Sequence, residues 1–180
     1  GRGIFGGGYG ASSPHPELAT LDYVQIATTG IGFDFGDLTI SGTVSGGTAS
    51  STRGLFFGGR RPGGGTSNIH TAIQYVTISS TGISFFFGDL SYRPVISSGA
   101  SNNIRGIFAG GYSPSVVNTI TYVSIPTLGD AVDFGDLTRS HGYGASAASS
   151  TRGTFIAGAS WPAGTNIIDY VQIMSTGNAI

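Results

Sequence analysis

Apolar and polar residues alternate along this chain in short bursts, and Gly, Ser, Thr, Asn or Pro closes each burst. Stretches such as RGIFGGG from Arg2, DYVQI from Asp22 and FDFGDLT from Phe33 are too short for helices and switch character every second residue. Alternation of that period marks a strand with one buried face, and the small and polar residues between bursts supply turn chemistry. The pattern predicts an all-β chain.

The bursts recur in a fixed order. An arginine-glycine strand appears four times, as RGIFGGG at Arg2, RGLFFGG at Arg53, RGIFAGG at Arg105 and RGTFIAG at Arg152, at separations of 51, 52 and 47 residues. Each is followed by a tyrosine strand (DYVQI, QYVTI, TYVSI, DYVQI), and three of the four continue into FGDL. A small, polar strand such as GTVSGGTASS from Gly42 precedes the next arginine, so each unit holds four strands. The units run over residues 2–52, 53–104, 105–151 and 152–180, the last incomplete, within one repeat domain. From tyrosine to FGDL aspartate is 14 residues in each complete copy, and from that aspartate to the next arginine is 16. Length varies only between the glycine doublet and the tyrosine strand. Four antiparallel strands in about 50 residues is the size of a propeller blade.

Composition narrows the chemistry. The 180 residues carry eight Arg, eight Asp, one Glu and no Lys, for a formal net charge of -1. Without Lys, Asp34-Phe35-Gly36 is not a kinase magnesium motif and the GGGYG run at Gly6 is not a phosphate-binding loop. The sparse, unclustered basic residues speak against nucleic acid as a partner. No cysteine is present for disulfides, thiolate metal sites or cysteine nucleophiles. No apolar run reaches the roughly 18 residues of a membrane helix, so membrane insertion is not expected. Because the chain opens on Gly and stops mid-pattern, a processed subunit or a window on a longer polypeptide is expected.

A small-residue strand, an arginine-led aliphatic strand ending in Gly-Gly, a variable loop and a tyrosine strand together resemble the kelch repeat of β-propellers. The departure is in the last strand, where Phe35, Phe87 and Phe134 of the FGDL stretches stand in place of the family's usual tryptophan. More narrowly, RGIFAGG, IDYVQI, STGNA and DFGDLT resemble kelch-like repeats in structural (tail or appendage) proteins of tailed bacteriophages, especially cyanophages. The resemblance spans the whole chain. It implies a kelch-like β-propeller or an array of four-stranded antiparallel blades, in a virion or otherwise extracellular setting.

The repeated residues admit structural roles first. Glycine doublets Gly7-Gly8, Gly58-Gly59 and Gly110-Gly111 could be anion nests, but strand ends with positive φ and crowded backbones explain them better, and the fourth copy reads Ala157-Gly158-Ala159. The aspartates Asp37, Asp89 and Asp136 could bind calcium with Asp34 and Asp133, yet Phe86 replaces the second carboxylate in one copy. The constant 16-residue interval predicts charge-assisted pairs instead, Asp37 with Arg53, Asp89 with Arg105 and Asp136 with Arg152. Tyr23, Tyr75, Tyr122 and Tyr170 are expected to pack between blades. His15, His70 and His141 stand at different unit positions and form neither a metal spacing nor a Ser-His-Asp arrangement. No cofactor, metal or catalytic residue is expected.

Candidate ligand contacts concentrate in the variable loops, residues 9–20, 60–72, 112–119 and 160–166. There Tyr9, His15, Arg60, Arg61, His70, Tyr112 and Trp161 are residue types suited to sugar stacking or protein contact. The reading is a non-enzymatic structural or adhesive repeat protein of a virion appendage or extracellular filament, with host-surface glycan, further repeats or copies of itself as partners. The alternatives are a glycan-cleaving propeller, for which paired carboxylates are wanting, and a bacterial surface interaction module.

Overall fold

A computed structural model describes the chain apart from residues 12–15, 63–67, 96, 113 and 161–162 and the side chains of 157 and 160. Its strands form four antiparallel sheets, and the described residues contain no α-helix. The first sheet is β1 (Arg2–Gly6), β2 (Thr20–Gln25) and β3 (Phe33–Asp37). The second is β4 (Thr43–Ala49), β5 (Arg53–Arg60), β6 (Ile69–Thr77) and β7 (Phe85–Asp89), and the third is β8 (Ser98–Ser101), β9 (Arg105–Ala109), β10 (Thr119–Ser124) and β11 (Val132–Asp136). The fourth is β12 (Ala145–Ala148), β13 (Arg152–Ser160) and β14 (Ala163–Gln172). Strands are ordered in each sheet as in the chain. The small-residue strand pairs with the arginine strand that follows it, so the second, third and fourth sheets begin before their arginines and straddle the sequence-defined boundaries.

A bulge recurs in three sheets. Leu21 pairs with Gly36 and Asp22 with Asp34, which leaves Phe35 as the extra residue. The same shift leaves out Phe87 and Phe134. A bulge re-aims a side chain, and these three rings are each only 2% exposed.

The core lies between sheets, in three junctions. Leu21, Phe35 and Leu38 of the first sheet meet Phe56 and Val76 of the second. Leu55, Phe57, Ile73, Phe87 and Leu90 meet Phe108, Val123, Ile125 and Ala131 of the third. Ile107, Ile120, Phe134 and Leu137 meet Phe155, Val171 and Ile173 of the fourth. Backbone ties these same faces. Gly82 and Ser84 donate to the carbonyls of Phe35 and Asp37, Gly129 and Ala131 to Phe87 and Asp89, and Gly177 and Ala179 to Phe134 and Asp136. A side chain on Gly36, Gly88 or Gly135 would run into the backbone of Gly82, Gly129 or Gly177. The glycine of FGDL is therefore required by the approach of the next sheet.

First strands also lie side by side. Ser101 Oγ donates to the Ala49 carbonyl at 2.6 Å, and Ser146 Oγ to the Gly99 carbonyl at 2.7 Å. Small residues are needed here, since a Cβ on Gly99 would press on the Gly47 carbonyl and the Phe57 ring. Junctions join sheet one to two, two to three and three to four among the described residues.

Candidate functional site

Each sheet has two chemically different ends. At one end sit the repeated arginines, as Arg53 opposite Thr77, and at the other the FGDL aspartates, as Asp89 opposite Ala72. The five residue steps of β6 from Ala72 to Thr77 span about 16 Å. The expected pairs Asp37–Arg53, Asp89–Arg105 and Asp136–Arg152 are therefore not brought together. Their constant interval measures the chain running from the loop end along a first strand and around its turn into the second strand, not an ion pair.

The arginines have other partners. Arg2, Arg53, Arg105 and Arg152 each lie over the tyrosine ring of their own sheet, at 4.6, 4.9, 4.4 and 4.9 Å from the centroids of Tyr23, Tyr75, Tyr122 and Tyr170. Three also reach the next sheet: Arg2 donates to Ile78 O (3.0 Å), Arg53 to Ile125 O (2.7 Å) and Arg105 to Ile173 O (3.2 Å). The tyrosines meet the bulged phenylalanines edge-on, Tyr75 and Phe87 at 6.0 Å, inside a single sheet. Tyr23, Tyr75 and Tyr122 also pack against the clusters between sheets, as expected, and all four rings serve in addition as platforms for the guanidinium groups of their own sheets.

At the loop end the doublets are closed to ligands. Gly8, Gly59 and Gly111 donate their amides to the carbonyls of Gly42, Pro94 and His141, so these are not nests. Gly59 has φ of +117° and no room for a Cβ beside the Thr43 carbonyl.

The loop end of the second sheet holds a polar cavity of about 250 Å³, walled by Arg61, Asn68, His70, Thr71, Asp89 and Arg93 among others. Here β5 ends, β6 begins and the segment after β7 turns back. Asp89 is fixed by the Thr71 hydroxyl, which donates to Oδ1 at 2.6 Å. The Asp89 amide in turn donates to Asp130 Oδ1 of the third sheet at 2.9 Å. His70 is only 8% exposed, and its Nδ1 is buried with no hydrogen-bond partner among the described residues. Burial first, then the nearby Arg61 guanidinium, lower its pKa to about 4 against the opposing pull of Asp89, so the imidazole is neutral at pH 7. The wall thus combines two arginines, one carboxylate already engaged, and one buried imidazole with an unused nitrogen.

A second depression of about 170 Å³ brings Tyr9 and Arg60 together with Thr43, Val44, Ser45 and Val95. Arg60 Nε is buried without a hydrogen-bond partner among the described residues. Tyr112 bridges Val95 and Val116 through its backbone and is 40% exposed. The structure therefore splits the expected loop residues: Arg61 with His70, Tyr9 with Arg60, and Tyr112 apart. His15 and Trp161 lie outside the described residues. Among the described residues no three His, Asp or Glu are grouped to hold a metal.

Arg93 and Asp89 were not expected as cavity residues. A unit-by-unit comparison would have found Arg93, which stands four residues after its FGDL aspartate where the neighbouring units have Ser41 and Ser140. No protein-family model and no curated protein matches the chain.

Proposed function

We propose that this chain is a non-enzymatic structural or adhesive repeat protein, a stack of kelch-like blades that continues into further blades and presents its loop ends to a ligand. The observation that carries the reading is that the outermost sheets expose the two halves of the junction made three times inside. Phe56, Phe108 and Phe155 point back into the preceding sheet and are buried, whereas the equivalent Phe5 is 63% exposed. Leu21, Ile73 and Ile120 are fully covered by the following sheet, whereas the equivalent Ile168 is 63% exposed. Arg152 stacks on Tyr170 like its counterparts, and Ile26, whose counterparts accept an arginine, is largely exposed. A groove of about 310 Å³ along β1, between Arg2, Ile4 and the Gly47 to Ala49 stretch of β4, has the place a first strand takes in the other sheets. Further units of this repeat, in a longer array or in a second copy, fit these surfaces by strand addition and by apolar burial.

The motif resemblance supports a virion appendage or an extracellular filament as the setting of such a stack, with a host-surface glycan as the proposed ligand of the loops. Two features support a binding rather than a hydrolytic role. Among the described residues Asp89 is the only carboxylate lining the polar cavity, and it is already held by Thr71. Hydrolysis of a glycoside calls for a second acid across the bond. Sedimentation of residues 1–180 at rising concentration, beside Phe5→Asp, tests the stacking. Association that the substitution abolishes is expected, and a monomer at all concentrations would overturn stacking between copies. A glycan array on the same protein tests adhesion, and an array with no signal would leave only the scaffold.

A further inference from the structure

We propose that the cavity of Arg61, His70 and Arg93 is a binding site for an oxyanion, the carboxylate or sulfate of an acidic saccharide. The repeat supplies an internal control. His70 stands three residues before Ile73, where the first and third units have Leu18 and Val117. Arg61 comes two after its glycine doublet, where they have Gly10 and Ser113, and Arg93 replaces Ser41 and Ser140. Three positions that are small or apolar elsewhere thus become cationic or imidazole in one unit, and all three line the same cavity. The scaffold does not need them, because the first and third units build the same sheet without them.

The chemistry selects an anion. Two guanidinium groups face one carboxylate, which already accepts from Thr71. The cavity therefore keeps an excess positive charge at pH 7. His70 lines the same wall, and its Nδ1 is buried with no hydrogen-bond partner among the described residues. Guanidinium forks suit planar or tetrahedral oxyanions through paired N–H donors. A volume of about 250 Å³ admits one acidic group and the ring bearing it, not an oligosaccharide. Binding here is independent of stacking, so either can fail while the other holds.

The test is titration of residues 1–180, followed by amide NMR at constant ionic strength, with sodium glucuronate, sodium sulfate, glucose and poly-glutamate as probes. Glucuronate or sulfate should saturate with shifts centred on Arg61, His70 and Arg93, the first indicating a carboxylate site and the second a sulfate site. Arg93→Ser and His70→Val use residues that neighbouring units carry at these positions and so keep the sheet. Arg93→Ser should weaken binding by roughly tenfold to a hundredfold. Glucose binding as well as glucuronate, unchanged affinity in Arg93→Ser, or binding of poly-glutamate with both small anions inert would each overturn the proposal.

Discussion

At the junctions the units copy one another, and at the loop end the second unit departs from its neighbours. Phe35, Phe87 and Phe134 are each buried to the same extent, as are Leu38, Leu90 and Leu137. In contrast Leu18, His70 and Val117 share one repeat position and differ in kind. The difference follows from what surrounds each position. A junction residue is enclosed by two sheets whose backbones are fixed by hydrogen bonds, so its volume is set to within a methylene. A loop-end residue faces a neighbour on one side only, and its chemistry is free to change.

The largest effect should come from breaking a junction at its centre. Phe108 is fully buried and its ring lies 4.2 Å from that of Phe57 across the second junction. Phe108→Ala should cost about 3–5 kcal/mol in urea unfolding. The equivalent Phe5→Ala, on an exposed face, should stay within about 0.5 kcal/mol. Equal losses at the two positions would break the comparison, because burial would then not depend on the junction. Gly88→Ala comes next. Its Cβ would meet the Gly129 carbonyl, so the two sheets must separate, at about 1–3 kcal/mol by the same measurement.

Much of this architecture was legible in the sequence, and the parts that were not share a cause. Strand composition, the four-strand unit and the turn positions followed from period-two alternation and glycine placement. The bulge at Phe35 was not visible, because one extra residue leaves the spacing from Tyr23 to Asp37 unchanged in every copy. The aspartate–arginine pairs failed for a related reason: a constant interval fixes path length and says nothing of direction, and this path crosses the sheet. Cavity residues were partly legible. Arg61 and His70 were recognisable from their loop, but Arg93 follows a repeated motif, and its neighbours' serines had to be set beside it.

The arginines allow a finer cut. Arg53 combines stacking on Tyr75 with donation to Ile125 O and Pro126 O of the next sheet, whereas Arg152 has the stacking contact with Tyr170. Arg53→Ala should therefore lower stability by about 1–2 kcal/mol and Arg152→Ala by about 0.5 kcal/mol, measured by thermal unfolding. The gap between them is the junction's share of the interaction. If the two losses are equal, the guanidinium acts within its own sheet alone.

No loss at neutral pH is expected from His70→Val, which gives the second unit the residue its neighbour has at Val117. It removes a buried nitrogen without a partner, so stability at pH 7 should hold or rise by about 1 kcal/mol. Acid separates the two proteins. The folded imidazole has a pKa of about 4 beside Arg61, Arg93 and Asp89, while the unfolded one titrates near 6.5. Between those values the unfolded chain binds the extra proton, so the wild type loses stability as pH falls from about 6.5 to 4. His70→Val lacks that group, and its advantage in melting temperature should widen across this window and level off below it. A constant difference at all pH values would mean that His70 protonates freely in the folded state, and the loop end would then be as open to water as an ordinary surface turn.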